Sequence, residues 1–248
     1  MCNKIDLFKD NELKIYSKRE RTYGECTSPS DILIPIKDEL IKTIKTSEDA
    51  AKHAIENHGD ADLQDHILDA LDSNDNFKAF RSKVPSITPK ELSNYQKKYG
   101  KNNSEIKDKA DKKIKDIGTL LPIDQELFHG GKLINTPDDT IILESPLSTT
   151  FDPVIAEIEA RHKGKAYDEG ELNINIIKNK SSKVKCFPYR HKGTIFGHEK
   201  EVLIESEVKL TIKDKKKISE TAVYKYENGK TIKKVVPVYV TNIEILES

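Results

Sequence analysis

The period of the hydrophobic pattern changes near residue 120, and this change constrains the fold more than any other feature of the sequence. Before it, apolar residues recur at helical spacing, as they do within residues 62–72. After it, apolar and polar residues alternate, as they do within residues 172–177. The order predicts an α+β chain: a helical N-terminal region over residues 1–88, then a second domain over residues 89–248 that passes from helices into a mostly antiparallel β core.

Helix signals divide the first half of the chain. Behind Ser30 and Asp31, one amphipathic helix is predicted by six apolar residues at helical spacing: Ile32, Leu33, Ile36, Leu40, Ile41 and Ile44. Four further helices are predicted there from capping residues and apolar stripes: over residues 48–57, over residues 62–72, from Thr88, and from Ser104 to Gly118. A fifth, from Asp152, interrupts the strands of the second half.

Strand signals dominate after residue 120. Short β-rich runs predict strands at residues 140–144, 172–177, 183–187, 194–204 and 208–212. Asn228 and Gly229 favour a tight turn, and therefore predict a hairpin between residues 221–226 and 231–236. The pattern leaves open whether residues 206–248 extend the sheet or form a separate hairpin.

Composition limits the classes of partner and compartment. Lys and Arg together number 42, and Asp and Glu together also number 42, so the formal net charge is zero. A zero net charge removes the broad electrostatic argument for a protein that binds nucleic acid or a membrane surface. Cys2, Cys26 and Cys186 lie far apart and form no CxxC pair. No apolar run approaches the roughly 18 residues of a membrane span. We expect a soluble cytoplasmic protein without a signal peptide or membrane partner.

Three short segments of the β half carry the polar residues of greatest chemical interest. They are Glu-Leu-Phe-His-Gly-Gly at 126–131, Ser-Pro-Leu-Ser-Thr-Thr-Phe at 145–151, and His-Glu-Lys-Glu-Val-Leu-Ile at 198–204. Glu199 and Glu201 precede the strand-like run at 202–204, whereas the other Glu-x-Glu copies, at 157–159, 169–171 and 205–207, lie on a predicted helix, in a turn or beyond this strand. Because alternate residues of a strand share a face, both carboxylates are expected in one cleft, with Lys200 pointing away.

The order of these segments resembles the mono-ADP-ribosyltransferase family of bacterial toxins and tailed phages, over roughly residues 90–205. The resemblance implies that Glu201 lies beneath the ribose of NAD and stabilises an oxocarbenium-like transition state. It implies that Ser148 holds Glu201 in place. Glu199 would then orient or deprotonate the acceptor, and a Glu at this place goes with arginine as the modified residue.

The resemblance also implies a set of NAD-binding and target-binding residues. NAD is expected to contact His129, Gly130, Gly131, Thr149, Lys178 and Lys180, and the target protein is expected to contact Tyr189 and Arg190. His129 stands where the toxin and phage members usually have Arg. A neutral His offers one donor and one acceptor and suits a ribose hydroxyl better than a phosphate.

The function implied is NAD-dependent transfer of ADP-ribose to a protein, by a phage enzyme acting on host proteins in the host cytoplasm or by a bacterial effector or toxin. NAD is the co-substrate. No metal is expected, since His53 and His58 are five residues apart and no Cys or Glu completes a zinc signature. A non-catalytic module that binds NAD, a nucleotide or a protein remains the alternative, as do an NAD glycohydrolase and transfer to RNA.

Overall fold

A computed structural model of the chain describes residues 3–9, 11–29, 36–98, 103–134, 140–192 and 196–246. Its helices are α1 (Ser47–Glu56), α2 (Ala61–Ser73), α3 (Asp75–Arg81), α4 (Lys90–Lys98), α5 (Ser104–Ile117), α6 (Pro153–Arg161) and α7 (Lys165–Glu169). Its strands are β1 (Leu13–Arg19), β2 (Ile36–Ile44), β3 (Thr119–Leu120), β4 (Glu126–Gly130), β5 (Thr140–Ile142), β6 (Leu147–Thr150), β7 (Leu172–Asn179), β8 (Lys185–Pro188), β9 (Glu201–Ile204), β10 (Lys209–Glu227) and β11 (Lys230–Leu246).

Side-chain caps fix where the predicted helices begin. Asp152 accepts a 2.9 Å hydrogen bond from the Val154 backbone N–H at the start of α6, with Pro153 in the first turn. Asn103 caps α5 in the same way through the Ile106 N–H, so Ser104 is the first helical residue. The helices predicted at 48–57 and 62–72 are present as α1 and α2. The α3 helix lacked a sequence prediction.

The helix predicted from residues 32–44 is wrong over its described part. Residues 36–44 form β2, which pairs with β1 in a two-stranded antiparallel sheet. Ile44 is buried, whereas Leu40 and Ile41 are 53% and 66% exposed, so the apolar stripe that suggested a helix does not share one buried face. Ser30, Asp31, Ile32 and Leu33 lie outside the described residues. The N-terminal region is therefore α/β in content rather than purely helical.

The main sheet has nine described strands, in the order β3-β8-β9-β6-β4-β7-β11-β10-β5. Every neighbouring pair is antiparallel except β7 and β11, which run parallel, so the sheet is mixed. The turn at Asn228 and Gly229 has positive φ at both residues and joins β10 to β11, as predicted. Since β11 pairs with β7, this hairpin extends the sheet.

One hydrophobic cluster joins residues from both sides of the boundary expected at residue 88. Ile67 and Phe77 belong to it, and so do Leu127 and Ile243. The Gln125 amide also bonds the backbone of Ile5, accepting from its N–H at 2.8 Å and donating to its carbonyl at 3.1 Å. The division into residues 1–88 and 89–248 stays a prediction. Among the described helices, none has the length and hydropathy needed to cross a bilayer, and Cys2 lies outside the described residues.

Candidate active site

A cleft of about 530 Å³ opens across β9, β6 and β4, which are neighbours in the main sheet. It brings together residues from all three segments singled out in the sequence. The lining residues are Gln96, Lys97, Phe128, His129, Gly130, Ser148, Thr149, Thr150, Ile155, Ala156, Glu159, His162, Lys163, Lys165, Glu199 and Glu201.

Glu201, the first residue of β9, is a buried carboxylate held at both oxygens. Ser148 Oγ donates to its Oε1 at 2.6 Å, and Gln96 Nε2 donates to its Oε2 at 2.7 Å. Only 5% of Glu201 is exposed. Burial raises the pKa of Glu201 to about 7, the nearby charge of Glu199 adds to the rise, and the two hydrogen bonds oppose it. The site therefore holds the carboxylate in a defined orientation, and the charge of that carboxylate changes with pH near neutrality.

Glu199 lines the same cleft but does not lie on the strand, which corrects the expected geometry. Residues 197–199 form a 3-10 turn, and Lys200 has a left-handed backbone with φ of 47°. The Lys200 ammonium donates to the buried Asp152 carboxylate at 2.8 Å, and Thr150 Oγ1 donates to the Glu199 carbonyl at 2.6 Å. These bonds turn the chain just before β9. Glu199 is half-buried, and burial raises its pKa.

His129 is buried at 8% exposure and lines the cleft at β4. Its Nδ1 lies 2.8 Å from the Ser148 carbonyl, which can only accept, so Nδ1 carries the proton. Burial, together with the nearby charge of Lys165, lowers the pKa of His129 to about 4. The ring is neutral at pH 7, and its Nε2 is an acceptor for a hydroxyl proton.

Ser148 and Thr149 have different roles although both line the cleft. The Ser148 hydroxyl donates to Glu201 Oε1 at 2.6 Å. Thr149 is buried, and its hydroxyl donates to the Val202 carbonyl of β9 at 2.6 Å. Thr149 thereby fixes β6 against the strand that carries Glu201.

Gly130 and Gly131 are required by packing inside the protein. A Cβ at Gly130 would collide with the α6 backbone at Ala156 and Ala160. Gly131 has φ of 106°, and the space beside its Cα holds the side chain of Lys165. Gly130 lines the cleft and Gly131 does not.

Four other residues singled out in the sequence lie outside the cleft lining. Lys178 and Lys180 both pair with Asp124. Tyr189 is buried, and its hydroxyl donates to the Leu92 carbonyl at 3.1 Å. Arg190 is exposed on the segment that leads to residues 193–195, which lie outside the described ranges.

Gln96 and Lys165 are among the cleft residues that the sequence analysis did not identify. Gln96 lies on α4 and is 105 residues from Glu201 in the chain. Lys165 begins α7, and its ammonium donates to the Gly130 carbonyl at 2.6 Å. Neither belongs to a motif. The one local signal was Gly164, which permits the left-handed turn before Lys165.

The histidines considered for a metal have protein partners. His53 Nε2 lies 3.1 Å from Asp60 Oδ2, and His58 Nδ1 contacts the buried Glu157. Within the described ranges, no group of three or more His, Cys, Asp or Glu side chains is arranged to hold a metal ion.

Comparison with known proteins gives matches to structures alone, since no family model and no curated protein matches the sequence. The chain is similar to BECa, an ADP-ribosylating toxin of C. perfringens solved with NADH, at 16% identity and a TM-score of 0.38 over 71% of this chain and 48% of BECa. It is similar to Vis, an ADP-ribosyltransferase of Vibrio splendidus, at 11% identity and a TM-score of 0.34 over 81% and 83% of the two chains.

A third similar structure is Plx2a, an ADP-ribosyltransferase toxin of Paenibacillus larvae, at 12% identity and a TM-score of 0.36 over 68% of this chain and 90% of that one. The chain spans about half the length of BECa. By name, these three structures are an ADP-ribosylating toxin, an ADP-ribosyltransferase and an ADP-ribosyltransferase toxin.

Proposed function

We propose that the chain is an NAD-dependent mono-ADP-ribosyltransferase that modifies arginine in a protein. The observation that carries this proposal is the buried Glu201 carboxylate, which lines an open cleft while Ser148 and Gln96 hold its two oxygens. Cleavage of the bond between nicotinamide and ribose develops positive charge on the ribose, as glycoside cleavage does. A carboxylate already fixed beside that ribose stabilises the charge with little reorganisation.

The acceptor step is assigned to Glu199. Nicotinamide leaves with the bonding electron pair, and a guanidinium nitrogen of the acceptor then forms a bond to the ribose carbon as it gives up a proton. Glu199 lines the cleft next to Glu201, and the pKa raised by burial suits a base that accepts this proton. His129 supports the binding of NAD, since its Nε2 can accept a proton from a ribose hydroxyl.

The motifs, rather than the geometry, suggest the biological setting. By their resemblance, we propose a phage enzyme that modifies host proteins or a bacterial effector or toxin. The target protein would meet the cleft at the side of Glu199, because this carboxylate handles the acceptor.

The test is an incubation of the purified protein with labelled NAD, once with a cell lysate and once with agmatine, a small guanidinium compound. Released nicotinamide and transferred label are measured separately. Label on protein and on agmatine supports the proposal. Nicotinamide release without transfer would indicate an NAD glycohydrolase, and the absence of both with intact NAD binding would indicate a binding module.

A further inference from the structure

The cleft lining includes two lysines, Lys163 and Lys165, that the proposed reaction does not use. Glu201 begins β9 and Glu199 lies in the 3-10 turn before it, whereas the Lys165 ammonium reaches the end of β4 at the Gly130 carbonyl. The intervening strand is β6. Lys163, in the connection between α6 and α7, also lines the cleft. Glu159 and Lys97 also line the cleft, so its lining is of mixed charge.

Lys165 is a half-buried cation with little compensation from the protein. Its ammonium donates to the Gly130 carbonyl at 2.6 Å and, within the described residues, forms no ion pair at 4.0 Å or less. Burial lowers the pKa of Lys165, and the more distant charges of Glu169 and Glu159 oppose this change only in part. An ammonium has three donors, so Lys165 retains capacity for an anion.

The backbone directs both lysines to the cleft at a cost in conformational freedom. Lys163 and Gly164 have left-handed conformations, with φ of 52° and 76°, and this kink separates α6 from α7. Left-handed backbone is uncommon for a lysine. Gly131, with φ of 106°, leaves the space that the Lys165 side chain crosses. A side chain at Gly131 would therefore displace Lys165.

We propose that Lys165, with Lys163 beside it, binds the pyrophosphate of NAD; the inference rests on the proposed function. In this arrangement the ribose that becomes cationic lies at Glu201 and Glu199, and the anionic phosphates accept from the ammonium groups of the two lysines. Neutral His129 leaves the phosphates without a cation from β4. This proposal differs from the sequence expectation, in which Lys178 and Lys180 supplied that charge.

Calorimetry tests the proposal with three ligands: NAD, ADP-ribose, and nicotinamide riboside, which has no phosphate. For Lys165→Met we expect affinity for NAD and for ADP-ribose to fall about tenfold, as a charge-assisted hydrogen bond is lost, with nicotinamide riboside unaffected. Lys165→Arg should keep most of the affinity. Lys217→Met is the matched control, because Lys217 is exposed on β10 and pairs with Glu220.

A second variant keeps the proposal testable if Lys165→Met unfolds. Lys163→Ala, at an exposed residue with no hydrogen bond or ion pair to other described residues, should weaken NAD and ADP-ribose about threefold and reduce the salt dependence of binding. Equal NAD affinity in wild type and both lysine variants, or a loss confined to Lys180→Ala, would overturn the proposal and leave the proposed function standing. Failure of wild type to bind NAD would overturn both.

Discussion

Gln96 on α4 donates a 2.7 Å hydrogen bond to Oε2 of Glu201 on β9, across 105 residues of chain. The α4 helix, which precedes the β core, therefore contributes to the site, because Gln96 is the donor to the second carboxylate oxygen among the described residues. With Ser148 alone, only Oε1 would be held, and rotation about the Cγ–Cδ bond would be less restricted. The pair defines where the negative charge lies in the cleft.

Glu201→Gln should abolish both ADP-ribose transfer and NAD hydrolysis, since both pass through the same cleavage step. We expect a loss of at least about tenfold, from the roughly 2–4 kcal/mol attributed to such transition-state contacts. Nicotinamide release measures it. Glu207→Gln in the neighbouring Glu-x-Glu copy, an exposed residue outside the cleft, is the control. Wild-type nicotinamide release by Glu201→Gln would contradict the assignment.

Glu199→Gln should suppress transfer to agmatine while NAD hydrolysis continues, because the acceptor loses its base and Glu201 remains beneath the ribose. The ratio of transferred label to released nicotinamide is the measurement, again beside Glu207→Gln. An equal loss of both activities would show that the two carboxylates act as one unit.

Gln96→Ala should raise the apparent pKa of Glu201, because the lost hydrogen bond favours the ionised form. The pH profile of nicotinamide release should move to higher pH, and the loss of rate should be greatest below neutrality. Asn94→Ala, on the same helix but outside the cleft lining, should leave the profile in place. An unshifted profile in Gln96→Ala would mean that the contact does not tune the carboxylate.

Activity and stability should respond in opposite directions to a rise in pH through the pKa of Glu201, about 7. Nicotinamide release should increase as the carboxylate ionises. The folded pKa exceeds the ordinary value of 4.5, so the stability that Glu201 contributes is present below pH 4.5 and is lost as pH rises through 7, by roughly 3 kcal/mol. Thermal melts of wild type and Glu201→Gln across this range isolate the effect, and parallel curves would refute it.

His129→Ala should weaken NAD binding by about 1–3 kcal/mol, because a ribose hydroxyl loses its acceptor. The thermal midpoint without NAD should also fall, since the buried Ser148 carbonyl loses the donor that His129 Nδ1 supplies. Calorimetry with NAD and melts without it separate the two effects. An unchanged dissociation constant would remove His129 from the NAD site and leave it as a packing residue.

Local features of the sequence determined much of the fold. Asp152 and Pro153 define the start of α6 because a cap and a first-turn proline act within a few residues. Asn228 and Gly229 define the β10–β11 turn because both tolerate the positive φ that it requires. The family resemblance of their motifs, rather than any local propensity, was the basis for predicting that Ser148 and Glu201 share one site.

Tertiary structure decided the features that depend on distant partners. Residues 36–44 carry an apolar pattern compatible with a helix, yet backbone pairing with β1 makes them a strand. The chain turns at Lys200, ahead of Glu201, where the Lys200 ammonium pairs with the buried Asp152 carboxylate. The two residues are 48 positions apart, so local sequence preferences do not predict this ion pair. Gln96 and Lys165 reach the cleft only through packing of α4 and α7 against the sheet, since their contacts join residues far apart in the chain.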